Sequence, residues 1–118
     1  MTTYPDSYYA ATANKTVNYP TLEGEVTADV CVVGGGYSGL STAIALQEKG
    51  YKVALLEAAN IGFGASGRNG GQLVNSFSRD IDHIEKHYGV DTANAMGNMA
   101  FEGADCIRGL IKKYNIDA

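Results

Sequence analysis

Between Ala28 and Val33 the chain is apolar except for Asp29, and from Val53 to Leu56 it is apolar without a break. Runs this short and this continuous suit strands covered on both faces of a parallel sheet, where alternation is not required. Between them Leu40, Ala43, Ile44 and Leu46 recur at helical spacing as far as Lys49. Gly50 then stands where a left-handed residue closes a helix. The predicted order is strand, helix, strand. Further on, Ile81, Ile84 and Tyr88 share one helical face, with Ser78 or Asp80 as cap and Gly89 as stop. From Asp91 a second helix carries Met96, Met99, Gly103, Ile107, Leu110 and Tyr114 at helical period. That stripe is read as core, because methionine fills irregular gaps, and Glu102, Asp105, Arg108, Lys112 and Lys113 as a solvated face with some helical ion pairs.

Residues 1–27 show neither period. They form a polar arm containing Tyr4, Tyr8, Tyr9 and Tyr19, in which Pro5 and Pro20 disfavour a continuous helix. The expectation is an extended segment whose tyrosines lie on the body of the protein; the sharper alternative is that Tyr8 and Tyr9 line a substrate entrance. The domain division expected is therefore an arm, 1–27, and a partial nucleotide-binding domain, 28–118.

The turn between the first strand and the helix gives this pattern its chemistry. It reads Gly34-Gly-Gly36-Tyr37-Ser38-Gly39, and an acid, Glu57, ends the second strand eighteen residues after Gly39. In a dinucleotide-binding βαβ unit the first glycine permits the tight turn, the second lets the backbone approach a pyrophosphate, and the third lets the helix pack close to the sheet. The helix N-terminus then offers N–H groups and a positive dipole end to the phosphates. Glu57 is placed to accept hydrogen bonds from ribose hydroxyls, and its charge disfavours a 2′-phosphate, hence NADP. A phosphate-binding P-loop is excluded, since Gly34 to Ser41 contains no Lys-Ser or Lys-Thr.

After Glu57 the chain departs from a plain nucleotide-binding domain. Ala58 to Gly71 holds five glycines around a Ser66-Gly67-Arg68-Asn69 core. Such a segment presents backbone N–H groups and short polar side chains to something held closely, and it leaves the carboxyl end of a strand, where ligands of open parallel sheets bind. An NAD-dependent dehydrogenase would share the first unit but would not need this loop.

Composition narrows the surroundings. The chain has 118 residues, 45% of them hydrophobic and 19% charged, with a formal net charge of −4. No basic patch suggests nucleic acid. Its apolar stretches are shorter than the roughly 20 residues needed to span a bilayer, and its beginning lacks the basic and apolar regions of a secretory signal, so no membrane partner and a cytoplasmic location are expected. Cys31, within the first strand, and Cys106, on a helix, are read as reduced core thiols. His83 and His87 stand four apart on a helix, but Ile84 occupies the place of the glutamate in the zinc-protease pattern, and both are read as exposed residues rather than metal ligands. Two strands are too few for a dinucleotide-binding sheet, which predicts a fragment, inactive alone. A non-enzymatic nucleotide-binding module is the competing expectation.

The stretch Asp29 to Leu73 resembles the flavin-dependent amine oxidoreductases of the D-amino-acid oxidase superfamily, the group that includes glycine oxidase and monomeric sarcosine oxidase. Segments Ser7–Asn14, Asp29–Tyr37, Ile61–Asn75 and Ser78–Asp82 are similar to the branch that oxidises gamma-glutamylputrescine in bacterial putrescine utilisation. The resemblance implies an α/β, Rossmann-like FAD-binding domain and FAD as cofactor. By position it assigns Gly34, Gly36 and Gly39 to the pyrophosphate, Glu57 to the adenosine ribose, and Ser66, Arg68, Asn69, Gly70, Gly71 and Gln72 to the flavin side, with Tyr37, Ser38, Ala58 and Gly67 as further cofactor-binding residues. No histidine stands in the loop, so covalent attachment there is not expected. The implied substrate is a small primary amine: hydride passes to flavin N5, the imine hydrolyses to an aldehyde with release of ammonia, and molecular oxygen reoxidises the flavin to give hydrogen peroxide. No catalytic base is identified within the sequence.

Overall fold

The computed structural model describes residue 4 and residues 6–14, 17–75 and 77–117. It divides into two compact units, residues 1–70 and 71–118. In the first, the short helix α1 (Tyr8–Ala11) precedes strand β1 (Val30–Val33), helix α2 (Tyr37–Glu48), strand β2 (Val53–Leu56) and a single 3-10 turn at Ala65–Gly67. In the second, helix α3 (Ile81–Tyr88) is followed by α4 (Val90–Tyr114).

β1 and β2 pair in parallel, with Val30 opposite Val53 and Val33 opposite Leu56. Parallel neighbours need a crossover, which α2 supplies. It begins at Gly36 as cap, runs for twelve residues, and gives way at Lys49 to Gly50, whose φ is +89°. Tyr51 then returns its N–H to the Leu46 carbonyl at 3.1 Å, turning the chain back toward the sheet. The second strand coincides with the apolar run. The first starts two residues later than its run, because Asp29 is spent on closing the sheet's end: its N–H donates to the Lys52 carbonyl at 2.8 Å and its carboxylate accepts the Lys52 N–H at 2.7 Å.

The expectation that β1 is covered on both faces is not met. Val30 and Val32 are half-buried, whereas Cys31 and Val33 are exposed, Val33 by 83%. α2 packs on both strands, and Val32 lies on its side of the sheet, near the position a Gly39 side chain would take. The alternate residues face away from it. Cys31 is therefore an exposed free thiol rather than a core one, and Cys106 on α4 is exposed as well.

The arm also differs from its expectation. Ser7 caps α1, accepting the Ala10 N–H on Oγ at 3.2 Å, so a helical turn interrupts the extended chain expected there. Tyr4 does lie on the body of this unit, but Tyr8 and Tyr19 are exposed by 75% and 70%.

In the second unit Gly89, at φ +85° and ψ 162°, both ends α3 and opens α4, so the two helices form a hairpin one residue wide at its bend. Asp80 occupies the cap position of α3 without a side-chain capping bond. The buried face of the hairpin is made by Ile84, Ala93 and Ala104, flanked by half-buried Met96, Gly97 and Ala100. This corrects the predicted stripe: Met99 is 65% exposed and Ile107 and Tyr114 are exposed too. The small residue Gly97 lets α3 approach closely, Ile81 Cδ1 lying 3.9 Å from where its side chain would be, whereas a reading by side-chain size selects the face beside it. On the outer side Arg108 donates to Asp105 at 2.8 Å, one of the helical ion pairs expected.

Candidate nucleotide-binding site

Gly34, at φ +101°, turns the chain out of β1 after its N–H has donated to the Leu56 carbonyl at 2.7 Å. A side chain at Gly39 would run into the Gly34 carbonyl oxygen, so the start of α2 sits directly against the turn only because position 39 has none. Gly36 is similarly confined: a Cβ there would lie 2.9 Å from Ser66 Oγ. Gly34 thus makes the turn and Gly39 lies close against it, while the neighbour of Gly36 is Ser66.

Glu57 lies at the tip of β2. Its Oε2 accepts the Gly35 N–H at 2.6 Å and its Oε1 accepts the Ala59 N–H at 3.0 Å. These backbone donors, Gly35 first, hold the carboxyl below its ordinary range, against a small opposing contribution from burial. The carboxylate is thereby fixed in place and charged. An ionised carboxylate offers about four lone-pair sites, so beside its backbone donors Gly35, Ala59 and Ala58 it keeps room for a further donor such as a ribose hydroxyl.

The loop after Glu57 folds back on the glycine turn. Gly62 donates its N–H to the Gly35 carbonyl at 2.9 Å, and Ser66 Oγ accepts the N–H of Tyr37, the first residue of α2, at 3.0 Å. Asn69 Nδ2 lies 2.8 Å from Tyr37 Oη, 3.0 Å from the Ala65 carbonyl and 2.9 Å from that of Ser66. Arg68 donates from Nε to the Gly64 carbonyl at 3.2 Å. Gly67 packs so tightly that a Cβ would strike the Gly62 carbonyl oxygen.

The structure thus brings Gly34, Gly36, Tyr37, Gly39, Glu57, Ser66, Gly67 and Asn69 into one hydrogen-bonded and close-packed set. Ser38 lies in the first turn of α2, Ala58 follows Glu57, Arg68 is exposed beside the set, and Gly70 ends the first unit. Gly71 and Gln72 fall in the second unit and rest on the resemblance alone. Among the described residues no group of three or more His, Cys, Asp and Glu side chains could hold a metal ion; the His83 and His87 rings stack 4.1 Å apart instead.

Sequence reading missed two contributors. Gly35 is buried, and a Cβ there would approach Ile61 Cδ1 at 2.5 Å; the unbroken triple glycine was its signal. Tyr4 donates its hydroxyl to the Ile61 carbonyl at 2.6 Å and sets its ring 6.1 Å from that of Phe63, pinning the loop from the arm side. Nothing local in the sequence marks that contact across 57 positions.

The glycine turn, the acid at the neighbouring strand tip and the loop folded over both stand in an α/β unit, and the chain belongs to the FAD dependent oxidoreductase family, whose pattern matches residues 29–118. It is 63% identical, over 99% of its length, to the gamma-glutamylputrescine oxidoreductase of Escherichia coli K12. It is also 48% identical over 93% of its length to a probable oxidoreductase, OrdL, of Haemophilus influenzae, and 36% identical over 94% to the OrdL of Rhizobium meliloti. The chain spans only 28% of the first relative and 26% of each of the others. No solved structure matches it. No helix among the described residues is long and apolar enough to cross a membrane.

Proposed function

We propose that this chain supplies the FAD-binding portion of an oxidoreductase that oxidises a primary amine, with gamma-glutamylputrescine as substrate and an aldehyde, ammonia and hydrogen peroxide as products. The observation that carries the reading is the joining of two glycine segments around Glu57: Gly62 and Ser66 bond to Gly35 and Tyr37, while Glu57 stays ionised beside them. The donor set suits the ADP half of FAD. The first-turn N–H groups of α2 have no acceptors within the helix; Ser66 Oγ takes that of Tyr37, and those of Ser38 and Gly39 are the ones offered to a pyrophosphate. Glu57 accepts a ribose hydroxyl with its remaining lone pair and, being charged, rejects a 2′-phosphate.

FAD when bound supplies the two-electron acceptor for the amine's C–H bond. Ser66 and Asn69 hold the loop against α2, and Arg68, Gly70, Gly71 and Gln72 are assigned to the flavin side on the resemblance alone. The substrate assignment draws on the Escherichia coli relative's name and on the segments from Ser7 to Asp82. Molecular oxygen is the proposed final acceptor and the cytoplasm the proposed location.

The test is peroxide formation by the protein expressed from its complete reading frame. Amine-dependent peroxide with gamma-glutamylputrescine, and little with glycine or sarcosine, is expected. Oxidation of glycine or sarcosine alone would move the assignment to another amine oxidase of the superfamily.

A further inference from the structure

The loop over the glycine turn is expensive to order. Five of the fourteen residues from 58 to 71 are glycine, the residue that loses most conformational freedom on folding, and the only helical turn among them is three residues long. A 3-10 turn of that length does not sustain itself. The side chain that gathers it is Asn69. One amide nitrogen faces two carbonyls of the turn, Ala65 and Ser66, and the hydroxyl of Tyr37 thirty-two positions away, all at 2.8–3.0 Å. It carries two hydrogens, so three acceptors at these distances consume its whole donor capacity.

Resting on the FAD reading, we propose that Asn69 and Tyr37 form a clamp that positions the flavin-facing loop, with the Asn69 NH2 group committed to protein acceptors rather than to the cofactor. The Tyr37 residue is engaged at both ends: its backbone N–H donates to Ser66 Oγ at 3.0 Å, and its hydroxyl accepts from Asn69 at 2.8 Å. The 3-10 turn is thus fastened to the first residue of α2 by one side chain from each partner. Breaking the clamp leaves the loop to be ordered by the cofactor itself, so its loss appears as weaker binding and faster opening of the loop before FAD arrives.

The experiment uses apoprotein from the complete reading frame, titrated with FAD and followed by amide hydrogen exchange, for Tyr37→Phe, Asn69→Ala and the double variant. Tyr37→Phe, which removes only a hydroxyl, is expected to weaken FAD binding about three- to tenfold, as befits one hydrogen bond. Asn69→Ala is expected to weaken it further, since both turn carbonyls lose their partner as well. The double variant should bind no worse than Asn69→Ala alone, because the Tyr37 hydroxyl then has nothing left to hold. Exchange at residues 65–69 should be faster in each variant without FAD, with the melting temperature of the apoprotein little changed. Multiplying effects in the double variant, or exchange as slow as in the wild type, would overturn the clamp alone. Failure of the wild-type apoprotein to take up FAD would overturn the FAD reading and the clamp with it.

Discussion

Two turns of this chain, 34–39 and 62–67, are built on the same plan and end differently. Both read Gly-x-Gly-x-Ser-Gly. In each the first glycine has positive φ, +101° at Gly34 and +73° at Gly62, and in each a Cβ on the last glycine would strike the carbonyl oxygen of the first. In each the third position, Gly36 or Gly64, is the cap of a helical segment. The first segment runs for twelve residues and the second stops after three. The residues beyond each turn make the difference. Leu40, Ala43, Ile44 and Leu46 give the first turn an apolar stripe to lay on β1 and β2, whereas Arg68, Asn69, Gly70 and Gly71 give the second nothing to bury. Glycines set the turn, and burial decides whether a helix grows from it. The shorter turn is instead held by its contacts with the longer one.

That contrast is broken most directly by filling the last glycine of each turn. Gly39→Ala forces α2 away from the backbone on which it packs and should cost about 3 kcal/mol. Gly67→Ala meets the same clash in an exposed loop that can shift, and about 1 kcal/mol is expected. Thermal melting of the holoprotein compares them; equal losses would show that the second turn is as firmly embedded as the first.

Glu57→Gln acts where the two turns meet. One side-chain oxygen becomes an NH2 group, which cannot accept from Gly35 or Ala59, and charge-assisted bonds are lost. FAD affinity should fall roughly tenfold, since bonds to charged groups are worth about 1.5–3 kcal/mol and each 1.4 kcal/mol is a factor of ten. Unchanged affinity in a titration of apoprotein would show that the carboxylate does not hold the ribose. The same residue gives the apoprotein an acid-side dependence. Its folded pKa is lowered by the Gly35 and Ala59 N–H groups, so its contribution to stability is present above the ordinary glutamate value of about 4.3 and is lost as pH falls through the lowered one. Melting curves of wild type and Glu57→Gln should therefore converge on acidification; a constant gap would contradict this.

Smaller effects sharpen the picture of the second turn. Ser66→Ala leaves the Tyr37 N–H without its side-chain acceptor and should cost about 1 kcal/mol, the usual worth of a capping oxygen. Arg68→Ala removes an exposed bond to the Gly64 carbonyl and should change stability by no more than about 0.5 kcal/mol. A marked loss of FAD affinity with that small change in melting would place Arg68 against the cofactor, as its position in the loop suggests.

The features legible in the sequence are those set by local rules. β2 and α2 were legible because an unbroken apolar run, a helical period and Gly50 each act within a few residues. Glu57 was legible as the acid at a strand tip, though not as the acceptor of the Gly35 N–H. Ser66 was legible as part of a glycine-rich loop but not as the acceptor of the Tyr37 N–H, because that bond joins residues twenty-nine apart. The exposure of Cys31 was not legible, since an apolar run does not reveal whether both sheet faces are covered. Nor was the true face of α4, where alanines at 93 and 104 are buried and the larger Met99 is not.

The central claim is that the two glycine turns around Glu57 hold FAD without a covalent bond. The most direct measurement is the absorption spectrum of the protein purified from its complete reading frame, taken before and after acid precipitation. A yellow protein that releases FAD into the supernatant is predicted. A colourless protein that binds NAD tightly would contradict the assignment, and flavin retained in the precipitate would contradict its noncovalent character.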